Sequence, residues 1–164
     1  LTDGVSIDVS GGEPPHTLYL PLVTRDYTVA PDLVVASIDA TANAVRLDVT
    51  NRGNAPASDF WVDVYIAPNP PPTAANQIWR DVADMGLVWG VEETLGPDQS
   101  LTLTSDACVD GESLIMWPLE PGTPVYAQVD SWREDTGYGA VLERHEIRQD
   151  PYNNIRHTFV STTP

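Results

Sequence analysis

Apolar residues alternate with polar ones along most of this chain, and that period of two restricts its fold more than any other feature. Between residues 45 and 50, apolar Val45, Leu47 and Val49 are each followed by a polar residue. The stretches 60–66, 101–104 and 125–130 repeat the pattern. A strand with one face in the core and the other in water produces this alternation, whereas a helix needs a period near 3.6. The alternation therefore predicts β-strands.

Further strands at 33–39, 87–91 and 140–147 bring the predicted number to about seven. Fifteen prolines and eleven glycines separate these segments, and helical spacing is nearly absent. Residues 77–85 could form one helical turn, but three consecutive prolines at 70–72 and Gly86 favour a long loop. The predicted fold is all-β: an immunoglobulin-like β-sandwich with long loops at 68–86 and 105–122.

The chain of 164 residues has room for one domain with an extension. We predict a linker over residues 1–31, with an extended or edge-strand segment at 16–23 interrupted by Pro21. The sandwich follows over 32–160, with a tail at 161–164. The chain begins at Leu1 without a basic stretch or an apolar signal core, so we expect any export signal to have been removed already.

The net charge is −16, from 24 acidic and eight basic residues, and every basic residue is arginine. This charge would repel nucleic acid and anionic membrane surfaces and attract cations such as Ca²⁺. No apolar run approaches the roughly 20 residues that a membrane-spanning helix needs. We therefore expect no nucleic-acid partner and no membrane insertion. Solubility of an exported protein is the simplest explanation of the acidity.

Residues suited to catalysis are few, and we predict that the protein is not an enzyme. The three histidines, His16, His145 and His157, lie far apart and in no recognisable catalytic motif. A triad or a carboxylate pair could still assemble from distant positions, because such sites are defined by geometry. Cys108 is the only cysteine, so neither an intramolecular disulfide nor a Cys-based metal site can form within one chain.

Acidic and amide side chains are densest near the C-terminus, and they suggest a calcium site as one alternative. Calcium takes six to eight oxygen ligands from carboxylates, amides and carbonyls, although the spacing here matches no EF-hand. Transition-metal binding through Glu143 and His145 is a weaker alternative, and turn formation with solvated acids is the simplest one. The candidate calcium ligands are Asp130, Asp135, Glu143, Glu146, Asn153 and Asn154.

Five tryptophans are many for this length, and they suggest a platform for sugar rings or for a protein partner. The alternation places Trp61 and Tyr65 on the face of their strand opposite Phe60, Val62 and Val64. Packing beneath the 68–86 loop is the competing explanation, because exposed aromatic patches are costly in water. The candidate platform residues are Trp61, Tyr65, Trp79 and Trp89.

The order of several short motifs resembles the CARDB family, the cell-adhesion-related domain found in bacteria. The first strand begins Pro31-Asp32-Leu33, and the second ends in the Val-Thr-Asn-x-Gly pattern at residues 49–53. Near the C-terminus, a strand ending in Val129-Asp130 precedes the acidic segment 139–146 and the pair Asn153-Asn154. The resemblance covers about residues 32–156. The segment 147–152 and the 68–86 loop are longer than the family pattern.

The resemblance implies an immunoglobulin-like sandwich in an exported or surface protein and implies no catalytic residues. We accordingly expect a monomeric, non-catalytic module of a larger chain that serves adhesion or spacing at the cell surface. A carbohydrate-binding module that uses exposed Trp and Tyr is the first alternative. A structural module made rigid by calcium is the second.

Overall fold

The computed structural model describes residues 28–162, which fold into two antiparallel sheets, two short α-helices and one turn of 3₁₀ helix at Ser105–Ala107. One sheet has the order β1-β2-β5 and the other the order β4-β3-β6-β7. The elements are β1 (Leu33–Thr41), β2 (Ala44–Asn51), β3 (Phe60–Ile66), α1 (Trp79–Val82), β4 (Met85–Val91), β5 (Ser100–Thr104), β6 (Pro124–Val129), α2 (Arg144–Arg148) and β7 (Ile155–Phe159). The predicted all-β sandwich of seven strands is confirmed.

The main core lies between the two sheets and is formed by alternate residues of the strands. Val45, Leu47 and Val49 of β2 face Val62 and Val64 of β3, and all five are at most 1% exposed. Burial of each such side chain contributes about 1.5–3 kcal/mol to stability. The core therefore occupies the space between the sheets and leaves functional groups to the outer faces and the ends.

A second apolar cluster covers the outer face of the four-stranded sheet. Tyr65 and Val88 pack there against Trp79, which the segment between β3 and β4 folds back over the sheet. This segment contains the four-residue helix α1, where the sequence favoured a loop with at most one helical turn. No helix among residues 28–162 has the length and apolarity to cross a membrane.

The predicted last strand at 140–147 is wrong. Residues 140–143 are irregular, helix α2 follows, and the last strand is β7 at 155–159, paired with β6. The carboxylate of Asp130 accepts the backbone N–H groups of Ala140 (2.7 Å) and Val141 (2.9 Å). These bonds use donors that a strand would need for its ladder.

Residues 28–31 already pack on the sandwich, since Ala30 is 2% exposed and its N–H donates to Asn54 Oδ1 at 3.0 Å. The predicted boundaries at 31 and 160 stay predictions. The predicted extended segment at 16–23 lies outside the described residues. Cys108 is a free, partly buried thiol.

Candidate functional site

A buried polar cluster forms where the start of β1 meets the start of α2 and the residue before β7. Asp32, Glu143, His145 and Asn154 lie there, each at most 5% exposed. One ligand atom from each of Asp32, Glu143 and His145 lies within 4.8 Å of the other two. Burial of several ionisable groups at one place is costly unless they are paired or hold a cation.

A capping box places Glu143 and His145 in this cluster. Glu143 is the N-cap residue of α2, and its N–H donates to Glu146 Oε2 at 2.8 Å, while its carboxylate accepts the backbone N–H of Glu146. Such reciprocal bonds satisfy donors at the start of a helix that have no partner within it. His145 follows in the first turn and points its ring inward.

The Glu143 carboxylate connects three segments of the chain. It accepts the backbone N–H of Leu33 at the start of β1 and, at 2.6 Å, the Nδ2 of Asn154. Burial raises the pKa of Glu143 to about 9, and the nearby carboxylates of Asp130 and Glu146 act in the same direction. The hydrogen bonds from Asn154 and Leu33 lower the pKa and only partly offset that effect.

Asp32 is held by the same region of the chain. Its carboxylate accepts hydrogen bonds from the guanidinium of Arg144 and, at 2.9 Å, from the Nδ2 of Asn153. Its backbone N–H donates to Asn51 Oδ1 at 3.1 Å. These contacts join α2 and the Asn153-Asn154 pair to the first strand.

His145 differs from its neighbours because neither ring nitrogen has a hydrogen-bond partner within the described part of the chain. Its Nδ1 lies 3.9 Å from Glu143 Oε2 and 4.0 Å from Asp32 Oδ1, and its Nε2 lies 3.9 Å from Glu146 Oε1. These separations exceed hydrogen-bond length. Burial lowers the pKa of His145, opposed by the negative charges of Asp32 and Asp150. The imidazole of His145 is therefore buried, and neither its donor nor its acceptor nitrogen forms a hydrogen bond with the described residues.

The six candidate calcium ligands are only partly brought together. Glu143 and Asn154 lie in the cluster, Asn153 contacts it through Asp32, and Glu146 flanks His145. Asp130 is fully buried but engaged by two backbone N–H groups, and Asp135 is exposed. The sequence analysis missed Asp32, because only the folded chain brings it to helix α2, which begins 112 residues later.

The tryptophan platform needs correction, because Tyr65, Trp79 and Trp89 are all buried and only Trp61 is partly exposed. Trp89 is 3% exposed in the main core, and its indole N–H donates to the backbone oxygen of Thr104 at 3.2 Å. Tyr65 is fully buried, with its hydroxyl 2.7 Å from both Gln77 O and Gln128 Oε1. Neither ring is available to a ligand.

Trp61 lines a groove of about 310 Å³ on the outer face of the four-stranded sheet, and Trp79, although only 5% exposed, forms part of its wall. Trp132, which is 39% exposed, lies on its edge. The guanidinium of Arg80 lies 5.3 Å from the centre of the Trp79 ring and donates to Glu112 Oε2 at 2.7 Å. The groove thus combines aromatic faces with one charged donor and one charged acceptor.

No family model and no curated protein sequence matches the chain. Among solved structures, it is similar to the crystal structure of the CARDB domain of the PF1109 protein from Pyrococcus furiosus, in complex with di-metal ions. The identity is 22%, the TM-score is 0.48, and the alignment covers 82% of this chain and 94% of that domain.

Proposed function

We propose that this β-sandwich is a non-catalytic module of an exported or cell-surface protein, where it serves adhesion or spaces other parts of a longer chain. The observation that supports spacing is the path of the chain through the sandwich. Residues 28–31 lie at the end where β1 begins, and Ser161 N–H donates to the Ala40 carbonyl at 2.9 Å near the end of β1.

The described chain thus enters and leaves at opposite ends of the sandwich. The seven residue-to-residue steps from Leu33 to Ala40 span roughly 23 Å at about 3.3 Å per step. When a chain enters a domain at one end and leaves at the other, the domain adds its full length to a series of domains joined end to end. A module whose entry and exit were adjacent would fold the row back on itself.

Buried carboxylates with structural partners support the non-catalytic part of the proposal. Asp63 accepts the N–H of Trp79 at 2.9 Å and the hydroxyl of Ser131 at 2.7 Å. Asp130 and Glu143 likewise bind backbone N–H groups. These acids hold loops in place, and turnover of any member of a panel of esters, peptides and glycosides would contradict the proposal.

Small-angle X-ray scattering on two copies joined in tandem by a short linker tests the spacing role. We expect the maximum dimension of the pair to approach twice that of one copy. A pair hardly longer than a single copy would show that the copies fold back side by side, and would contradict a spacer.

Carbohydrate binding is a second candidate, favoured by the groove at Trp61, Trp79 and Trp132. Aromatic faces pack on sugar rings, while Arg80 and Glu112 offer a donor and an acceptor to hydroxyl groups. Polysaccharide titration followed by tryptophan fluorescence should give a shift that Trp132→Ala abolishes. Trp117→Ala is the matched control, because Trp117 is equally exposed, at 38%, and does not line the groove. A shift that both variants retain would locate binding elsewhere.

A structural calcium ion that makes the module rigid stays a prediction, with fewer candidate ligands than the sequence suggested. Two of its six candidate residues, Asp130 and Asp135, lie outside the cluster around His145. A higher melting temperature in Ca²⁺ than in EDTA is the result expected for a calcium site. Equal melting temperatures would contradict it.

A further inference from the structure

His145 carries an unexplained cost in this fold. Its imidazole is 5% exposed, and both ring nitrogens lack a hydrogen-bond partner among the described residues. A buried polar group left without a partner loses its bonds to water and gains none in return. The cost is removed if a species outside the chain binds the ring.

The surroundings of Nδ1 are rich in carboxylate oxygen. The carboxylate oxygens nearest to it, from Glu143 and Asp32, lie 3.9 and 4.0 Å away. Ligand atoms that share one zinc ion at about 2.0–2.2 Å lie roughly 3.3 Å apart, so these separations are only slightly long for a common ion. The guanidinium of Arg144 donates to Asp32 Oδ2, which is not the carboxylate oxygen that lies nearest to His145 Nδ1.

The other side of the ring favours metal binding through Nδ1. Nε2 faces Glu146 Oε1 at 3.9 Å. A histidine that binds a metal through one nitrogen commonly directs the N–H of the other to a carboxylate, which fixes the tautomer and the ring orientation. Glu146 is itself fixed by its bond to the N–H of Glu143.

We infer that Asp32, Glu143 and His145 form a binding site for a first-row transition-metal cation of the Zn²⁺ or Mn²⁺ class, with His145 Nδ1 as the nitrogen ligand. Imidazole suits Zn²⁺ and carboxylates suit Mn²⁺, so this mixed ligand set can take either ion, whereas Ca²⁺ and Mg²⁺ prefer sites made of oxygen ligands alone. The ion would join β1 to α2 and thus hold the closing segment of the sandwich to its first strand. The inference does not depend on the proposed adhesion or spacing role.

Metal binding is tested on the full chain after dialysis against EDTA and then against metal-free buffer. Isothermal titration calorimetry with Zn²⁺, Mn²⁺, Ca²⁺ and Mg²⁺ is combined with thermal melting in each metal. We expect one Zn²⁺ or Mn²⁺ per chain, a melting temperature raised by about 5 °C, and at least tenfold weaker binding of Ca²⁺ and Mg²⁺. Stabilisation by Ca²⁺ equal to that by Zn²⁺ would overturn the inference.

The ligand assignment is tested with His145→Gln against His157→Gln as the matched control. His157 lies exposed on β7 and stacks on Tyr126 at 5.0 Å, away from the cluster. Binding should weaken at least 100-fold in His145→Gln and stay unchanged in His157→Gln. Equal Zn²⁺ affinity in both variants would overturn the assignment.

A measurement on the unaltered chain covers the case in which His145→Gln does not fold. Long-range ¹H–¹⁵N spectra resolve the imidazole nitrogens, and Zn²⁺ should shift the Nδ1 resonance of His145 while leaving its Nε2 protonated. A shift confined to His157, or no imidazole shift at saturating Zn²⁺, would overturn the inference. Either result would leave the spacing measured by scattering unaffected.

Discussion

Asn51 shows how a single side chain can organise one end of the sandwich. Its Oδ1 accepts the N–H groups of Asp32 (3.1 Å) and Gly53 (2.9 Å). Its Nδ2 donates to the carbonyls of Ala55 (2.7 Å) and Leu95 (2.9 Å). The side chain is fully buried, so no water competes for these four bonds. The turn after β2 and the entry of the chain are therefore fixed by one amide.

Asn51→Asp should lower the free energy of unfolding by about 3 kcal/mol, because the new carboxylate oxygen faces two carbonyls that have lost their donor. Urea denaturation measures the change. Asn43→Asp, in the exposed turn between β1 and β2, is the control and should change stability by less than about 0.5 kcal/mol. Equal effects at the two positions would contradict this role of Asn51.

Gly53 is required at the same end because the backbone of the entering chain lies against it. A Cβ at this position would lie 2.4 Å from the Ala30 oxygen and 2.6 Å from the Asp32 nitrogen. Gly53→Ala should therefore lower the free energy of unfolding by about 2–3 kcal/mol. Gly137→Ala is the control, since its Cβ would meet no atom within 4 Å. A Gly53→Ala variant as stable as the control in urea would contradict this packing.

The segment between β3 and β4 is held to its sheet by one hydroxyl and one indole. Tyr65 Oη contacts Gln77 O in that segment and Gln128 Oε1 of β6, each at 2.7 Å. Trp79 packs on Gly86 so closely that a Cβ there would lie 2.3 Å from the ring. Its indole N–H donates to the Glu112 carbonyl at 2.9 Å. Two loops thus meet over the outer face of the sheet.

Tyr65→Phe should release this segment while leaving the main core intact. Removal of the hydroxyl takes away the single proton that it donates to Gln77 O or to Gln128 Oε1, at a cost of about 1–2 kcal/mol. Hydrogen exchange should accelerate at residues 73–79 more than in β2. Tyr126→Phe, on the outer face of β6, is the control. Uniform acceleration throughout the chain would show that Tyr65 stabilises the whole fold and not this segment.

At the scale of the whole molecule, buried acids couple stability to pH. Burial raises the pKa of Asp63 to about 6 and that of Asp130 to about 7, against the partial offset of their hydrogen bonds. The ordinary aspartate pKa in an unfolded chain is about 3.9. The folded state therefore binds more protons than the unfolded state between about pH 4 and pH 7. Within this pH range, the free energy of unfolding therefore decreases as the pH rises.

We predict that the urea midpoint falls steadily from pH 4.5 to pH 7.5. Asp63→Asn and Asp130→Asn should each reduce the slope of that fall. Repulsion within a chain of net charge −16 acts in the same direction, but 1 M salt screens exposed charges beyond about 3 Å. A slope that disappears in 1 M salt would attribute the effect to surface charge and contradict the role of the buried acids.

The sequence by itself determined the sandwich, because the alternation of apolar and polar residues within each strand shows which face is buried and which is exposed to solvent. The alternation at 45–50 and 60–66 placed Leu47 and Val62 in the core and Trp61 on the outer face, as observed. Strand β7 was missed because Arg156, His157 and Phe159 are exposed on an edge strand, which weakens the pattern. The segment 140–147 alternates but folds otherwise, since Asp130 and a capping box bind its backbone.

Only the tertiary structure decided which polar residues meet. Asp32 and His145 come within 4.0 Å of each other because the closing segment returns to the start of β1. Trp89 and Tyr65 are buried on opposite faces of the four-stranded sheet, where sequence spacing had suggested a common exposed platform. Strand alternation is a local property of the chain, whereas a site built from distant residues depends on how the sheets close.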